Sequence, residues 1–225
     1  MWDTKQKSEF NIMIPNIFIS STIEDLQYLR DAIRETILEL SYNPVMSEYG
    51  DIGYAPDLSA EESCYKTIAE CQLAILFVGK RYGSKSKNHL GITHNEYRIA
   101  KETKIPIITL VDQEVKSFQR VYESNIENGI GPKFPGMDDP KGTFHLIKEV
   151  AESPFNNGIL TYNSAKEAKN QLKKQLAHIF SNLLVTKFDP VKTQLKDVLA
   201  EIKTLRHELI KESVDDSKMY MKAIR

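Results

Sequence analysis

The chain has 225 residues, enough for one sizeable core or for a domain of about 150–190 residues with an appendage. Its 30 lysines and arginines balance 31 aspartates and glutamates, so no global positive charge would attract nucleic acid or an anionic membrane. The N-terminus lacks the apolar core of a signal peptide, and no apolar run approaches the ~20 residues of a membrane span. We therefore expect a cytoplasmic protein with neither a membrane nor a direct nucleic-acid partner.

The first elements are predicted to be a strand, a helix and a second strand. Residues 17–19 form an apolar, β-branched run that predicts a buried strand. Thr22 and Asp25 resemble a capping box, so a helix is expected directly after this strand. Its buried face is predicted from apolar residues at helical spacing, namely Leu26, Leu29, Ile33, Ile37 and Leu40. Residues 42–46 predict a second strand, which Pro44 places at a sheet edge or a bend.

A loop with functional potential precedes the second predicted helix. Residues 47–58 are rich in Gly, Pro, Asp and Tyr, and loops of this length inside compact domains are often functional. Ser59 and Glu62 form a capping box that opens the helix. Cys64 and Cys71 lie two helical turns apart on its buried face, which is too far to bridge. We expect both to be small core residues in a reducing compartment.

The middle of the chain carries the strongest strand signal and a carboxylate close to it. Residues 73–78, LAILFV, predict a central parallel strand covered on both faces. The stretch GITHNEYRIAKETKIPIITLVD then predicts a loop, a short helix opened by Thr93 and a buried strand over residues 105–111. Glu96 falls on the first turn of that helix. The alternation of strands and helices predicts a mainly parallel sheet with right-handed crossovers.

The signals weaken towards the C-terminus. Helices are predicted over residues 115–126 and 143–151, and residues 159–162 predict a last short strand. Ser164 and Glu167 cap a further helix. Its apolar stripe consists of Ala168, Leu172, Leu176, Ile179 and Leu183.

The last part of the chain has the spacing of a coiled coil. Residues 188–190, Phe-Asp-Pro, break the preceding helix. Apolar residues then alternate four and three positions apart, at Val191, Leu195, Val198, Ile202, Leu205 and Leu209. Because the run lasts only about three heptads, two explanations stay open. The helix either pairs with another chain or folds back on its own domain.

Glu96 has two interpretations. A carboxylate beside the carboxyl end of a strand faces the ligand crevice of an open α/β sheet. There it would stabilise the positive charge that develops when the bond from ribose C1 to a base breaks, or it would attack that carbon. However, Thr93 and Glu96 also have capping-box spacing, and on spacing alone a helix cap is the better explanation.

Two serines at the end of the first predicted strand are candidate phosphate ligands. Ser20 and Ser21 would offer hydroxyls and amides at a helix N-terminus, where unpaired amides favour anions. Serines in such positions are more often simple caps. The sequence contains neither G-x-x-x-x-G-K-[ST] nor G-x-G-x-x-G, so both standard nucleotide-binding motifs are absent.

Basic and aromatic candidates lie in two loops. Arg81 and Tyr82 follow the central strand, where they would hold a phosphate and stack on a base. Tyr49 and Tyr54, in the loop after the second strand, would line a base pocket. The commoner roles are an arginine that extends from a strand end into solvent and tyrosines that cover the edge of a core.

Metal and serine-hydrolase chemistry are not indicated. His89 and His94 lie near Glu96, but their spacing matches no zinc site and the two cysteines are not placed to complete one. No G-x-S-x-G sequence is present. We therefore expect no metal and no resident cofactor.

Three motifs resemble, in order, the signature of an uncharacterised TIR-like domain family. They are NIFISSTIEDL at residues 16–26, FVGKRYG at 77–83, and ITHNEYRIA at 92–100 followed by KIP at 104–106. The wider group includes TIR domains and nucleoside deoxyribosyltransferases. The resemblance implies a flavodoxin-like, TIR-like α/β domain over residues 16–184, with helices on both faces of the sheet. A polar lead-in over residues 1–15 would precede it, and a helix over residues 190–225 would follow and mediate homo-oligomerisation.

The resemblance also implies an activity. In both wider groups a glutamate on the helix before a strand of the type "gkPi" is catalytic, and Glu96 falls on that position. The implied function is a glycohydrolase or cyclase that cleaves the N-glycosidic bond of NAD or a related nucleotide, in bacterial antiphage defence. With this activity, the expected substrate contacts are Ser20, Ser21, Arg81, Tyr82, Tyr49 and Thr93. The alternatives are a non-enzymatic TIR-like interaction module and a nucleoside deoxyribosyltransferase-like enzyme.

Overall fold

The computed structural model describes residues 14–125, 133–188, 194–195, 198–204 and 206, and its centre is a five-stranded sheet. The strands are β1 Asn16–Ser20, β2 Asn43–Val45, β3 Leu73–Val78, β4 Ile107–Asp112 and β5 Ile159–Tyr162. Their order is β2-β1-β3-β4-β5, and every neighbouring pair is parallel. This is a flavodoxin-like arrangement, so the predicted α/β fold class is confirmed.

The helices alternate with the strands along the chain. Within the described ranges they are α1 Gln27–Glu39, α2 Ala60–Glu70, α3 Ile92–Glu102, α4 Gln113–Asn125, α5 Pro140–Ala151 and α6 Ala165–Phe188. None of these helices is long and apolar enough to cross a membrane.

The strands lie close to where their sequences predict them. β3 is buried along its whole length, as expected for a central strand covered on both faces. β2 is an edge strand, which suits Pro44 because proline cannot donate to a second neighbour. β4 begins two residues later than predicted. Pro106 has no N–H to donate, so it bonds to β3 only through its carbonyl, which accepts from the Ala74 amide.

The predicted capping box of Thr22 and Asp25 is wrong. α1 begins only at Gln27, and its N-cap residue makes no side-chain hydrogen bond. The Thr22 hydroxyl instead donates to Asp25 at 2.5 Å, and the other oxygen of Asp25 accepts from the backbone amide of Arg81 at 3.3 Å. These residues therefore join the loop after β1 to the loop after β3 rather than opening a helix.

The predicted capping box of Thr93 and Glu96 is also wrong. α3 begins at Ile92, with Gly91 as the N-cap and no side-chain cap. Thr93 already lies inside the helix, so its hydroxyl cannot cap the first turn, and Glu96 lies two residues past the position from which a side chain could reach the Gly91 amide. The side chain of Glu96 is therefore available for another role.

Two other predicted caps are present. At α2, the Ser59 hydroxyl accepts from the Glu62 amide at 3.2 Å, and the Glu62 carboxylate accepts from the Ser59 amide at 2.8 Å. At α6, the Ser164 hydroxyl accepts from the Glu167 amide at 3.3 Å. The Glu167 carboxylate there accepts from the amide of Asn163 rather than that of Ser164, so only half of the box forms.

The chain divides into two units, Met1–Lys173 and Lys174–Arg225. The sheet lies in the first unit, and α6 ends in the second. Residues 194–195, 198–204 and 206 are helical. Of the predicted heptad positions, Leu195, Val198 and Ile202 are exposed, whereas Val191, Leu205 and Leu209 lie outside the described residues. The coiled coil and the oligomerisation stay predictions.

Candidate active site

A cavity of about 510 Å³ opens at the carboxyl ends of β1, β2 and β3. The strand order reverses between β1 and β3, and this reversal is where open α/β sheets bind ligands. The lining comes from the loops after the three strands and from the starts of α2 and α3. It consists of Ser21, Thr22, Ile23, Glu24, Ser47, Tyr54, Ala60, Glu61, Cys64, Arg81, Tyr82, Gly83, Ser84, Ile92, Thr93 and Glu96.

Glu96 places a carboxylate in this cavity. The residue is partly exposed, and its Oε2 accepts a hydrogen bond from the Ser20 hydroxyl at 2.5 Å. Burial of the carboxyl group raises its pKa to about 7, although Ser20 and Arg30 act in the opposite direction. Glu48 and Glu61 raise the pKa further because like charges disfavour a second anion. The carboxylate therefore ionises near neutral pH.

The two predicted phosphate-binding serines have other partners. Ser20 is buried and donates to Glu96, so it orients a carboxylate. Ser21 lines the cavity, but its hydroxyl donates to the Thr22 carbonyl at 2.8 Å and accepts from Arg30 at 2.6 Å. A direct phosphate contact through these two hydroxyls therefore does not fit the hydrogen bonds that are formed.

Arg81 lines the cavity as predicted, but acidic side chains already surround it. Its guanidinium forms ion pairs with Glu24 and, at 3.6 Å, with Asp138. Asp138 also accepts from the backbone amides of Tyr82 at 2.7 Å and Gly83 at 3.3 Å. An incoming phosphate would have to take the place of Glu24. That exchange costs little, because ion pairs between exposed side chains contribute only about 0–1 kcal/mol.

Tyr82 forms part of the cavity wall and is fixed from behind. Its hydroxyl lies 2.9 Å from Nδ1 of His94, and Nε2 of that fully buried histidine lies 2.9 Å from Glu149. Burial raises the pKa of Glu149, but hydrogen bonds from Arg98 and His94 outweigh it and lower the pKa to about 2. Burial lowers the pKa of His94, so the ring is neutral. Its Nε2–H therefore donates to the carboxylate, and the tyrosine hydroxyl donates to Nδ1.

One predicted base contact is misplaced. Tyr49 is exposed and does not line the cavity; its hydroxyl donates to Asp31 at 2.5 Å, and its ring lies under the guanidinium of Arg34. Both of these contacts place its side chain against α1. Tyr54, from the same loop, is the tyrosine in the lining. Thr93 also lies in the lining, as predicted.

The family of the chain follows from a comparison with protein-family models. Residues 16–177 match the family described as "Domain of unknown function (DUF4062)". The chain belongs to the DUF4062 family. The match includes every residue that lines the cavity.

Comparison of this DUF4062 chain with individual proteins adds little. No curated protein matches it. Among solved structures, it is similar to one described as "Structure of Clostridium botulinum CMP N-glycosidase, BcmB". The TM-score is 0.40 and the sequence identity 17%, over 71% of this chain and 98% of the other. The TIR-like resemblance stays a prediction.

Several residues around the DUF4062 cavity are missed by sequence reasoning. Arg30 is the clearest, because it occupies a position in the apolar stripe of α1 where a charged residue signals a buried partner. Its partner Glu48 lies in the loop over residues 47–58, where only the composition indicates a function. Glu149 and His94 lie far apart in the sequence, so nothing local indicates that they meet. Within the described ranges, no three His, Cys, Asp or Glu side chains are grouped to hold a metal ion.

Proposed function

We propose that this protein cleaves an N-glycosidic bond, that NAD or a related nucleotide is its substrate, and that Glu96 is the catalytic carboxylate. The observation that carries the proposal is the position of Glu96. A carboxylate that caps no helix borders the cavity at the point where the strand order reverses, and a serine hydroxyl orients it.

The chemistry needs one carboxylate. When the bond between ribose C1 and the base nitrogen breaks, its electron pair leaves with the base and positive charge develops on the ribose. Ionised Glu96 would stabilise that charge, and water would add to C1 and lose a proton. The nicotinamide ring of NAD is already cationic and leaves as a neutral molecule, so no general acid has to protonate it.

The remaining lining suits a nucleoside with a limited negative charge. Tyr54, Tyr82 and Ile23 offer apolar surface for a base, and Arg81 is the one cation in the lining of the cavity. Arg81 would bind a phosphate after exchanging with Glu24. Thr93, on the same helix as Glu96, would contact the ribose. Arg81, Tyr82 and Thr93 thus keep the roles proposed for them from the sequence, and Tyr54 takes the role proposed for Tyr49.

Base release from a nucleotide panel tests the proposal. Full-length protein is incubated at high concentration with NAD and with purine and pyrimidine mononucleotides, and products are separated by chromatography. We expect free nicotinamide from NAD. The ribosyl product would distinguish hydrolysis from cyclisation, and incorporation of an added second base would reveal base transfer instead.

The rival proposal is a non-enzymatic interaction module. A protein that binds nucleotides gains thermal stability from them by mass action on the folded state, whereas a scaffold does not. A melting temperature that is unchanged by NAD or by any mononucleotide, with no base release, would favour the scaffold.

An antiphage role rests on the family resemblance alone. NAD loss during phage infection of cells that express the wild-type protein, but not Glu96→Gln, would support it. Equal protection by both proteins would exclude catalysis as its basis.

A further inference from the structure

Arg30 is a buried charge in contact with Ser21, a residue of the cavity lining. It lies on the inner face of α1, is 2% exposed, and forms a two-pronged ion pair with Glu48, with Nε 2.5 Å and Nη2 2.7 Å from the two carboxylate oxygens. The Glu48 side chain is itself only 15% exposed. Removing one partner of such a pair leaves an uncompensated buried charge, so the two residues act as a unit.

Hydrogen bonds connect this pair to Glu96. Nη1 of Arg30 donates to the Ser21 hydroxyl at 2.6 Å, and its two Nη groups lie 3.5 and 3.4 Å from the carbonyls of Ser21 and Ile19. These contacts hold the carboxyl end of β1 on both sides of Ser20. The Ser20 hydroxyl then donates to the Glu96 carboxylate at 2.5 Å.

We infer that the Arg30–Glu48 ion pair positions Glu96 by holding the end of β1 that carries Ser20, and that the two charges of the pair act on the Glu96 carboxylate in opposite directions. Arg30 and Glu48 are thus positioning residues, since neither lines the cavity as Arg81 does. The consequence for catalysis rests on the proposed function, but the effect on the ionisation of Glu96 does not.

The charges around Glu96 come from three elements. The ionisable groups that face it are Arg30 on α1, Glu48 on the turn after β2, and Glu61, Cys64 and Tyr65 on α2. Burial raises the pKa of Cys64 to about 11 and also raises that of Tyr65, so both are neutral. Arg30 is the one cation of this set. Its charge favours ionised Glu96, whereas Glu48 and Glu61 oppose it.

Two variants that each remove one charge of the pair should therefore act in opposite directions. Glu48→Gln removes an anion and leaves Arg30 uncompensated, so the titration midpoint of Glu96 should fall by about one pH unit. Arg30→Gln removes the cation and leaves Glu48 uncompensated, so the midpoint should rise by a similar amount. The double variant is neutral at both positions and should titrate between the two. A purely structural role would move both single variants in the same direction.

NMR titration of the side-chain carboxyl carbons in the full-length protein tests this inference. The Glu96 signal is assigned by its absence in Glu96→Gln, and the fold of each variant is checked by its thermal melt. The control is Arg34→Gln, which breaks a comparable ion pair with Asp51 one turn further along α1 and should leave the Glu96 midpoint unchanged. Opposite shifts in the two single variants support the inference.

Three results would overturn it: equal midpoints in all variants, shifts of the same sign in both single variants, or a shift in Arg34→Gln as large as the others. If Arg30→Gln does not fold, Glu48→Gln and the double variant still test the inference, because an unchanged Glu96 midpoint in Glu48→Gln contradicts it. The titration needs no turnover. Opposite shifts of the Glu96 midpoint without any base release would support the inference and contradict the proposed function.

Discussion

Glu96 carries its negative charge in surroundings that disfavour it, and this sets a pH dependence. Burial raises its pKa to about 7, and only the ionised form stabilises a cationic ribose. We therefore predict that kcat/KM for NAD falls about tenfold per pH unit below pH ~7 and levels off above it. A pH profile at saturating and limiting NAD measures this. A rate that rises as the pH falls would assign Glu96 the role of a general acid instead.

The same raised pKa predicts a stability effect. The folded-state pKa of about 7 exceeds the ordinary value of 4.5, so ionisation of Glu96 reduces the stability of the fold as the pH rises from 4.5 through 7. Glu96→Gln removes this cost above pH ~7, and its amide oxygen still accepts from Ser20. We predict that Glu96→Gln melts at a higher temperature than the wild type at pH ~8 and that this difference is smaller at pH ~5. Each kcal/mol of added stability corresponds to a rise of about 2–4 °C. A lower melting temperature of Glu96→Gln at pH ~8 would contradict this account.

Glu96 also shows what the sequence can and cannot predict about a residue. Its location beside the mouth of the sheet follows from the order of elements, but capping-box spacing favours a helix cap. The decision depends on whether α3 begins at Ile92 or after Thr93, and this shift of two residues changes every side-chain contact of the first turn. Tyr49 and Tyr54 were equally good candidates by composition, and only the fold of their loop separates them.

At the scale of elements, α3 and α5 are joined by a buried polar contact that the sequence does not reveal. Glu149 on α5 accepts from His94 and Arg98 on α3. Glu149→Ala leaves the Nε2–H of a fully buried histidine without an acceptor, which costs about 1–3 kcal/mol. We predict a clearly lower midpoint of urea unfolding for this variant.

Glu152→Ala is the matched control. Glu152 lies one turn further along the chain, is exposed, and forms an ion pair with Lys148 at 3.7 Å. Its replacement should change the free energy of unfolding by at most about 0.5 kcal/mol. Equal effects of the two substitutions would show that the contact between α3 and α5 contributes no stability of its own.

Elements were predictable where a single strong signal defines them. β3 and β5 begin and end at the predicted residues, because each is a short apolar run bounded by polar or turn residues. The predicted start of α1 was wrong because the Thr22 hydroxyl donates to Asp25, and Asp25 accepts from the amide of Arg81 in the loop after β3, 56 positions away. A local pattern cannot anticipate such a contact.

At the scale of the whole molecule, the topology brings the site together. Ser20 and Glu96 are 76 positions apart in sequence, and they meet because β1 and β3 are neighbours in the sheet. The alternation of strands and helices predicted a parallel sheet and therefore a site at the carboxyl ends of its strands. The ion pair of Arg30 with Glu48 could not be predicted, because it depends on how a loop of irregular structure folds over α1.

The C-terminal helix carries a separate prediction about assembly. Phe180, Leu183 and Val185 near the end of α6 are exposed, as are Leu195, Val198 and Ile202. If the heptad spacing pairs chains, removal of residues 191–225 should lower the oligomeric state measured by light scattering. An unchanged mass per particle would favour a helix that folds back on its own chain.

The measurement that tests the catalytic role of Glu96 most directly is nicotinamide release from NAD by full-length protein, wild type beside Glu96→Gln and Glu24→Gln. Glu24 is the matched control, because it is a glutamate of the cavity lining that lies at the exposed rim. We expect release by the wild type and by Glu24→Gln, and at least ~10²-fold slower release by Glu96→Gln. Undiminished release by Glu96→Gln would contradict the assignment of Glu96 as the catalytic carboxylate.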